Sequence, residues 1–236
     1  LQQLTRVNII VPCYNPPLDW ETALAARMEQ LNTLMPENAA PFGLIVVNDG
    51  SKTNVLAANF QQLATLIPTV KVISYDQNRG KGYALREGVK ASSADFHVVT
   101  DMDFPYTNDS MVQIVSTLRA QGGIVVGNRD VDYYERVPFF RRKLSQFFRL
   151  VLRYVLRQPI DDSQCGLKGF DHAGRDLFLA TTIDRFLFDL EFLMLAKNKV
   201  KVTPVKVTLR DGVVFSKVGL KTLWIEGLNF LQILMK

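Results

Sequence analysis

Cysteine and histidine are scarce in this chain of 236 residues, with two of each. Cys13 and Cys165 stand far apart, make no CxxC pair and have no histidine cluster beside them. A zinc centre is therefore excluded, and no disulfide framework is implied. No run reaches the roughly 18 consecutive apolar residues of a membrane-spanning helix. The opening residues read directly as strand, with no secretory leader pattern ahead of them. Those shortages together lead to the expectation of a cytoplasmic protein.

Apolar residues make up 47% and charged residues 22%, which excludes disordered and fibrous classes. The formal net charge of +5 is unevenly placed. Between Arg136 and Arg157 stand seven Lys or Arg and no Asp or Glu. A local cationic patch suits an anionic membrane or a phosphate ligand, and nucleic acid is not the expected partner.

The first half alternates short apolar runs with helical patterns. Val7–Cys13, Leu44–Asn48, Val70–Tyr75, Phe96–Thr100 and Ile124–Gly127 read as buried strands, rich in Val and Ile and bounded by Gly, Pro, Asn or Asp. Trp20–Leu34, Thr53–Leu66, Gly82–Lys90 and Asp109–Ala120 carry helical spacing, with Asn108 or Asp109 as the expected N-cap of the last. Such alternation predicts a single α/β domain with a mainly parallel sheet covered on both faces. Ligands then gather at the carboxyl ends of the strands, where the polar residues lie: Cys13-Tyr14-Asn15, Asn48-Asp49-Gly50-Ser51, Asp101-Met102-Asp103 and Gly127-Asn128-Arg129.

Alternate carboxylates at Asp101 and Asp103, followed by a turn at Pro105, can bend toward one point. They could hold a hard divalent cation, Mg²⁺ or Mn²⁺, whose remaining positions go to diphosphate oxygens and water. The plain alternative is a solvated loop with two acids. Asn78-Arg79-Gly80-Lys81-Gly82 precedes a helix, and its basic residues and helix start favour an anion. The alternative there is an ordinary basic turn. Asp49 could accept from a ribose or a base, though Asn-Asp-Gly-Ser is also common turn chemistry.

Taken in order, PCYN, NDGS, NRGKG, TDMD and GNR resemble glycosyltransferase family 2, over roughly Val7 to Val207. The resemblance implies the GT-A fold, a Rossmann-like nucleotide-diphospho-sugar transferase domain. It implies that Pro12, Tyr14, Asn15 and Asp49 face the nucleoside, that Lys81 lies near it, and that Asp101, Met102 and Asp103 meet metal and diphosphate. Asn48 departs from the family, which more often has a second Asp there. Asp162-Ser163-Gln164-Cys165-Gly166-Leu167-Lys168-Gly169-Phe170 looks like the DTQCGFK segment of dolichyl-phosphate glucosyltransferases. Arg185–Glu191 is similar to their RWAFDVE segment, and Ser216-Lys217-Val218 to a later GSKL. This subgroup of polyprenyl-phosphate hexosyltransferases implies an inverting transfer from UDP-glucose, with GDP-mannose second, to a polyprenyl phosphate. By resemblance to dolichyl-phosphate mannose synthases, Arg129, Arg141 and Ser145 would bind the acceptor phosphate, and Gln164 would lie close to the donor sugar.

A phosphate acceptor is already ionised and needs positioning more than a base. A hydroxyl acceptor would need a carboxylate, for which Asp162 is the candidate. Asp162, Asp103 and Arg129 are thus the expected catalytic residues. Asp189 and Glu191 could orient sugar hydroxyls or form a buried structural pair; His97 and His172 read as structural. In Phe140–Arg157, Phe140, Leu144, Phe147, Phe148, Val151 and Val155 share one helical face, opposite Arg142, Arg149, Arg153 and Arg157. A helix over about 139–157 of that kind lies at a membrane interface or packs on the sheet with a basic outer face. Residues 217–236 form a second amphipathic segment, so peripheral attachment to the cytoplasmic face is expected. Two rival readings keep the donor fold: a transferase acting on a soluble or cell-envelope glycan, and a catalytically inactive nucleotide-sugar-binding module. A nucleotidyltransferase would need a glycine-rich basic loop after the first strand, which Pro12–Pro17 does not supply.

Overall fold

The computed structural model describes residues 5–36, 40–129, 165–213, 226–227 and 229–230. Seven strands form one sheet: β1 (Val7–Cys13), β2 (Gly43–Asp49), β3 (Val70–Tyr75), β4 (Phe96–Val99), β5 (Ile124–Arg129), β6 (Lys168–Phe170) and β7 (Val202–Val207). Their spatial order is β3-β2-β1-β4-β6-β5-β7. All neighbours are parallel except β6, which runs antiparallel to both β4 and β5. The sheet is thus mainly parallel, as the alternating pattern required, with one reversed strand inserted.

Among the described residues, six helices accompany the strands: α1 (Trp20–Thr33), α2 (Ala57–Leu66), α3 (Lys81–Lys90), α4 (Asn108–Gln121), α5 (His172–Leu179) and α6 (Phe188–Ala196). Alternate strand residues point to opposite faces, and two apolar layers result. Ile9, Val11, Leu44 and Val46 pack with Leu24 and Met28 of α1, Leu63 of α2, and Ile114 and Leu118 of α4. Ile10, Ile45, Val47 and Val99 pack with Leu85 and Val89 of α3, Phe178 of α5, and Phe188 and Phe192 of α6. No helix among the described residues is long and apolar enough to cross a membrane.

Two helix starts differ from the sequence pattern. The N-cap of α4 is Thr107, whose hydroxyl accepts from the Ser110 amide, so Asn108 and Asp109 are its first helical residues. Asp109 still complements the positive end of the helix. Helix α2 begins at Ala57, not Thr53, because Asn54 is left-handed (φ 57°) and its side chain donates to the Pro16 carbonyl at 2.8 Å.

His97, in β4, is fully buried and stacks on Phe170 with ring centroids 5.6 Å apart. Neither ring nitrogen finds a hydrogen-bond partner. Burial, then the nearby Arg175 charge, pull its pKa down to about 4. Both facts fit a structural histidine held neutral.

Candidate active site

Strand direction brings the ends of β1, β2, β4 and β5 and the beginning of β6 to one sheet edge. Chain order reverses between β1 and β4: β2 and β3 lie to one side of β1, and β4 to the other. Ligands of α/β sheets bind at such a switch point, where here Tyr14 follows β1 and Asp101 follows β4.

Asp101, Met102, Asp103 and Phe104 form a tight turn in which the Phe104 amide donates to the Asp101 carbonyl at 3.0 Å. Phe104 is buried and left-handed, φ 46°, a costly conformation for a bulky side chain. Arg210 holds that conformation from below. Its Nη2 donates to the Asp103 carbonyl at 2.7 Å and its Nε to the Phe104 carbonyl at 2.6 Å. Met102 packs against the core, and the Asp103 carboxylate stands at the rim of the turn, open to solvent on one side and partly desolvated on the other. Burial of the carboxylate, then repulsion from Asp101, raise the pKa of Asp103.

Asp101 Oδ1 lies 2.5 Å from Lys81 Nζ, at the start of α3. Burial works against the Lys81 ammonium, but Asp101 and then Asp189 outweigh it and the pKa is raised. Gly166 covers this pair. A Cβ there would stand 2.7 Å from Asp101 Oδ2 and 3.4 Å from Lys81 Nζ. Asp101 thus raises the proton affinity of Asp103, and two such neighbouring carboxylates suit a hard divalent cation. No group of three or more His, Cys, Asp or Glu gathers among the described residues.

Asp49 is wholly engaged inside the protein. Its carboxylate accepts from the Tyr75 hydroxyl (2.8 Å), Asn78 Nδ2 (2.8 Å), the Arg79 amide (2.7 Å) and the Gly80 amide (2.9 Å). Four donors saturate a carboxylate, and their effect is to hold the Asn78–Gly82 loop against β2. Asn15, left-handed at φ 46°, accepts from the amides of Lys52 (2.7 Å) and Thr53 (3.2 Å), tying the β1 and β2 loops together. Tyr14 is about half exposed, and Pro12 lies in β1 beside Val47. The nearby Cys13 thiol is buried and pushed up to about 12, so it is inert.

The loop before α3 is not an open anion cradle. Its Gly82 and Tyr83 amides donate to the Asp184 carbonyl at 2.8 and 3.2 Å. A Cβ at Gly80 or Gly82 would meet the Asp184 or Ile183 carbonyl at 2.5 or 2.6 Å. The Arg79 guanidinium lies over the Tyr83 ring, 3.6 Å from its centroid. These glycines admit residues 183–184 of the chain itself, and Lys81 is the basic residue that reaches the acidic turn.

Asp189 and Glu191 are both buried and engaged within the protein. Asp189 pairs at 2.6 Å with the fully buried Lys168, which also donates to the Cys165 carbonyl. Glu191 accepts from the Thr182 and Ile183 amides, each at 2.8 Å, fixing the turn that leads into α6. Arg129 ends β5 opposite Val207 on the site's edge. Asp162, Gln164, Arg141 and Ser145 lie outside the described residues, as do the interfacial helix expected over 139–157 and most of 217–236. Gly166, Lys168 and Arg210 had no assigned role in the sequence reading. The first two sit within the quoted DSQCGLKGF segment, and nothing around Arg210 signals its contact.

Comparison with known proteins identifies the family and the fold. The sequence model described as "Glycosyl transferase family 2" matches residues 8–178. A dolichyl-phosphate beta-glucosyltransferase of Dictyostelium discoideum is 28% identical over 207 residues, covering 81% of this chain and 62% of that protein. One from Trichomonas vaginalis is 30% identical over 208 residues, with 81% and 60% covered. The chain therefore spans about three fifths of the length of these relatives. Among solved structures, mannosyl-3-phosphoglycerate synthase from Rubrobacter xylanophilus superposes with a TM-score of 0.67 at 14% identity, over 98% of this chain and 73% of that one. Glucosyl-3-phosphoglycerate synthase from Mycobacterium tuberculosis, in complex with Mn²⁺, UDP-glucose and phosphoglyceric acid, gives 0.61 at 14% identity, over 98% and 79%. At these identities the likeness establishes the fold, which is GT-A.

Proposed function

Because the chain belongs to glycosyl transferase family 2, we propose that it moves one hexose from a nucleotide sugar to a polyprenyl phosphate at a membrane surface. The observation that carries this reading is the acidic turn Asp101–Asp103, held at the switch point between β1 and β4 with Lys81 on one carboxylate and Arg129 on the same sheet edge. Relatives named for dolichyl phosphate and glucose favour that acceptor class and UDP-glucose, with GDP-mannose as the second donor. The transfer is inverting in this reading, by in-line attack of the acceptor phosphate on the anomeric carbon.

Asp101 and Asp103 would hold Mg²⁺ or Mn²⁺, which offsets negative charge on a departing nucleoside diphosphate. Arg129, at the mouth, holds the acceptor phosphate, joined by Arg141 and Ser145. Tyr14 and Pro12 flank the nucleoside; Asn15 and Asp49 act by fixing the two loops that border it. Gln164 lies by the donor sugar, and Asp162 would serve as base only for a hydroxyl acceptor. Positioning is the main chemical task when the nucleophile is already an anion. The chain acts as one catalytic domain, with residues 139–157 and 217–236 resting on the cytoplasmic face of the membrane.

The test is transfer with Mn²⁺ or Mg²⁺ from UDP-glucose, GDP-mannose and UDP-N-acetylglucosamine to a short polyprenyl phosphate. A lipid-linked hexose lost in Asp103→Ala, and reduced in Arg129→Ala more than donor hydrolysis is, is the expected result. Donor hydrolysis without lipid product would move the acceptor to a glycan. Full activity of Asp103→Ala with chelator present would end the metal role.

A further inference from the structure

We propose that Lys81 is the resident counter-cation of the acidic turn, so that a divalent ion gains Asp101 only together with a diphosphate that takes over the lysine. This rests on the metal and donor roles proposed above and adds a binding order to them.

The backbone that carries the ammonium is fixed in place. Lys81 is the first residue of α3, and the next two amides are bonded to the Asp184 carbonyl. Its side chain is only 16% exposed, against 40% for Asp101. Gly166 lies against both groups with no side chain between. The other carboxylate acting on Lys81, Asp189, is already matched at 2.6 Å by the buried Lys168. The row thus runs Asp101, Lys81, Asp189, Lys168 in alternating sign, and Asp101 is the counter-charge that Lys81 depends on.

A divalent ion arriving alone at Asp101 would set two like charges side by side and strip the ammonium of that partner, inside a partly desolvated site. A diphosphate arriving with the ion removes the conflict, because its oxygens accept from the ammonium while also meeting the metal. Free metal therefore binds weakly, nucleotide and metal bind synergistically, and the acidic turn is not left loaded with metal between turnovers. The lysine acts as a gate on metal occupancy rather than as a simple donor contact.

The test uses the full chain and follows free Mn²⁺ by electron paramagnetic resonance, without and with UDP. Lys81→Met is expected to bind Mn²⁺ alone at least tenfold more tightly than the parent, and Lys81→Arg, which keeps the charge, is expected to match the parent. UDP should tighten Mn²⁺ binding far more in the parent than in Lys81→Met. Thermal melts of each variant establish that it is folded, and Asp101→Asn should lose the Mn²⁺ site. Equal Mn²⁺ affinity in parent and Lys81→Met, abolished by Asp101→Asn, would overturn the gate and leave the metal role intact. Mn²⁺ binding absent from every protein, with and without UDP, would remove the metal role and the gate with it.

Discussion

Replacing His97 with leucine should make the protein less sensitive to acid. The imidazole is fully buried with both nitrogens unpartnered, and its pKa is near 4 when folded, against an ordinary 6.5. Because the folded value is the lower one, the unfolded chain binds the extra proton between those values. Stability is therefore full above about pH 6.5 and falls as pH drops toward 4. For these two values the linkage relation gives a loss of about 2 kcal/mol between about pH 7.5 and pH 5. Leucine has a similar volume and no polar atom to desolvate. Urea unfolding of both proteins at the two pH values isolates this contribution, since every other titrating group is common to them. The variant should equal or exceed the parent near neutrality and exceed it by about a further 2 kcal/mol at pH 5. An unchanged difference across the two pH values would show that His97 titrates normally and that the desolvation argument is wrong.

Three further perturbations probe the site's supports. Gly166→Ala should leave the melting temperature nearly unchanged while lowering transfer on the order of 10- to 100-fold, because its Cβ displaces the Asp101 carboxylate; unaltered kinetics would show that the turn tolerates the shift. Asp49→Asn turns an acceptor-only group into one that faces four donors, and should cost roughly 2–3 kcal/mol in denaturant unfolding. Lys168→Met strands the Asp189 charge and should cost roughly 3–5 kcal/mol, whereas Lys168→Met with Asp189→Leu should recover most of that loss; equal instability of single and double variants would refute the pairing.

How legible the molecule was in its sequence depended on whether the information was local. Strands β1 to β5 carry their own Val and Ile runs, and all five lie where those runs stand. Strand β6 has only Lys168, Gly169 and Phe170, and is a strand because β4 and β5 grip it from both sides. Strand β7 contains Pro204, which hides its pattern and is tolerated because β7 is the sheet edge. The acidic turn was visible as alternate carboxylates after an apolar run. The engagements of Asp49 and Asn15 were not, since their partners stand 26 to 38 positions away and are ordinary amides, an amide side chain and a tyrosine. The loop before α3 reads like an anion site because glycines that admit a phosphate and glycines that admit a carbonyl look the same in sequence.

Arg210 gives the acidic turn a place in time as well as in space. The turn leaves β4 early in the chain, yet the guanidinium that fixes Phe104 in its left-handed conformation stands 106 residues later. On a ribosome, where residues emerge in order, Asp101 and Asp103 are exposed long before their clamp exists. Nascent chains that have already paired β1 to β4 still lack a set turn until β7 and Arg210 have been made. Truncated products ending before Arg210 therefore carry the acidic motif without the two hydrogen bonds that hold its turn.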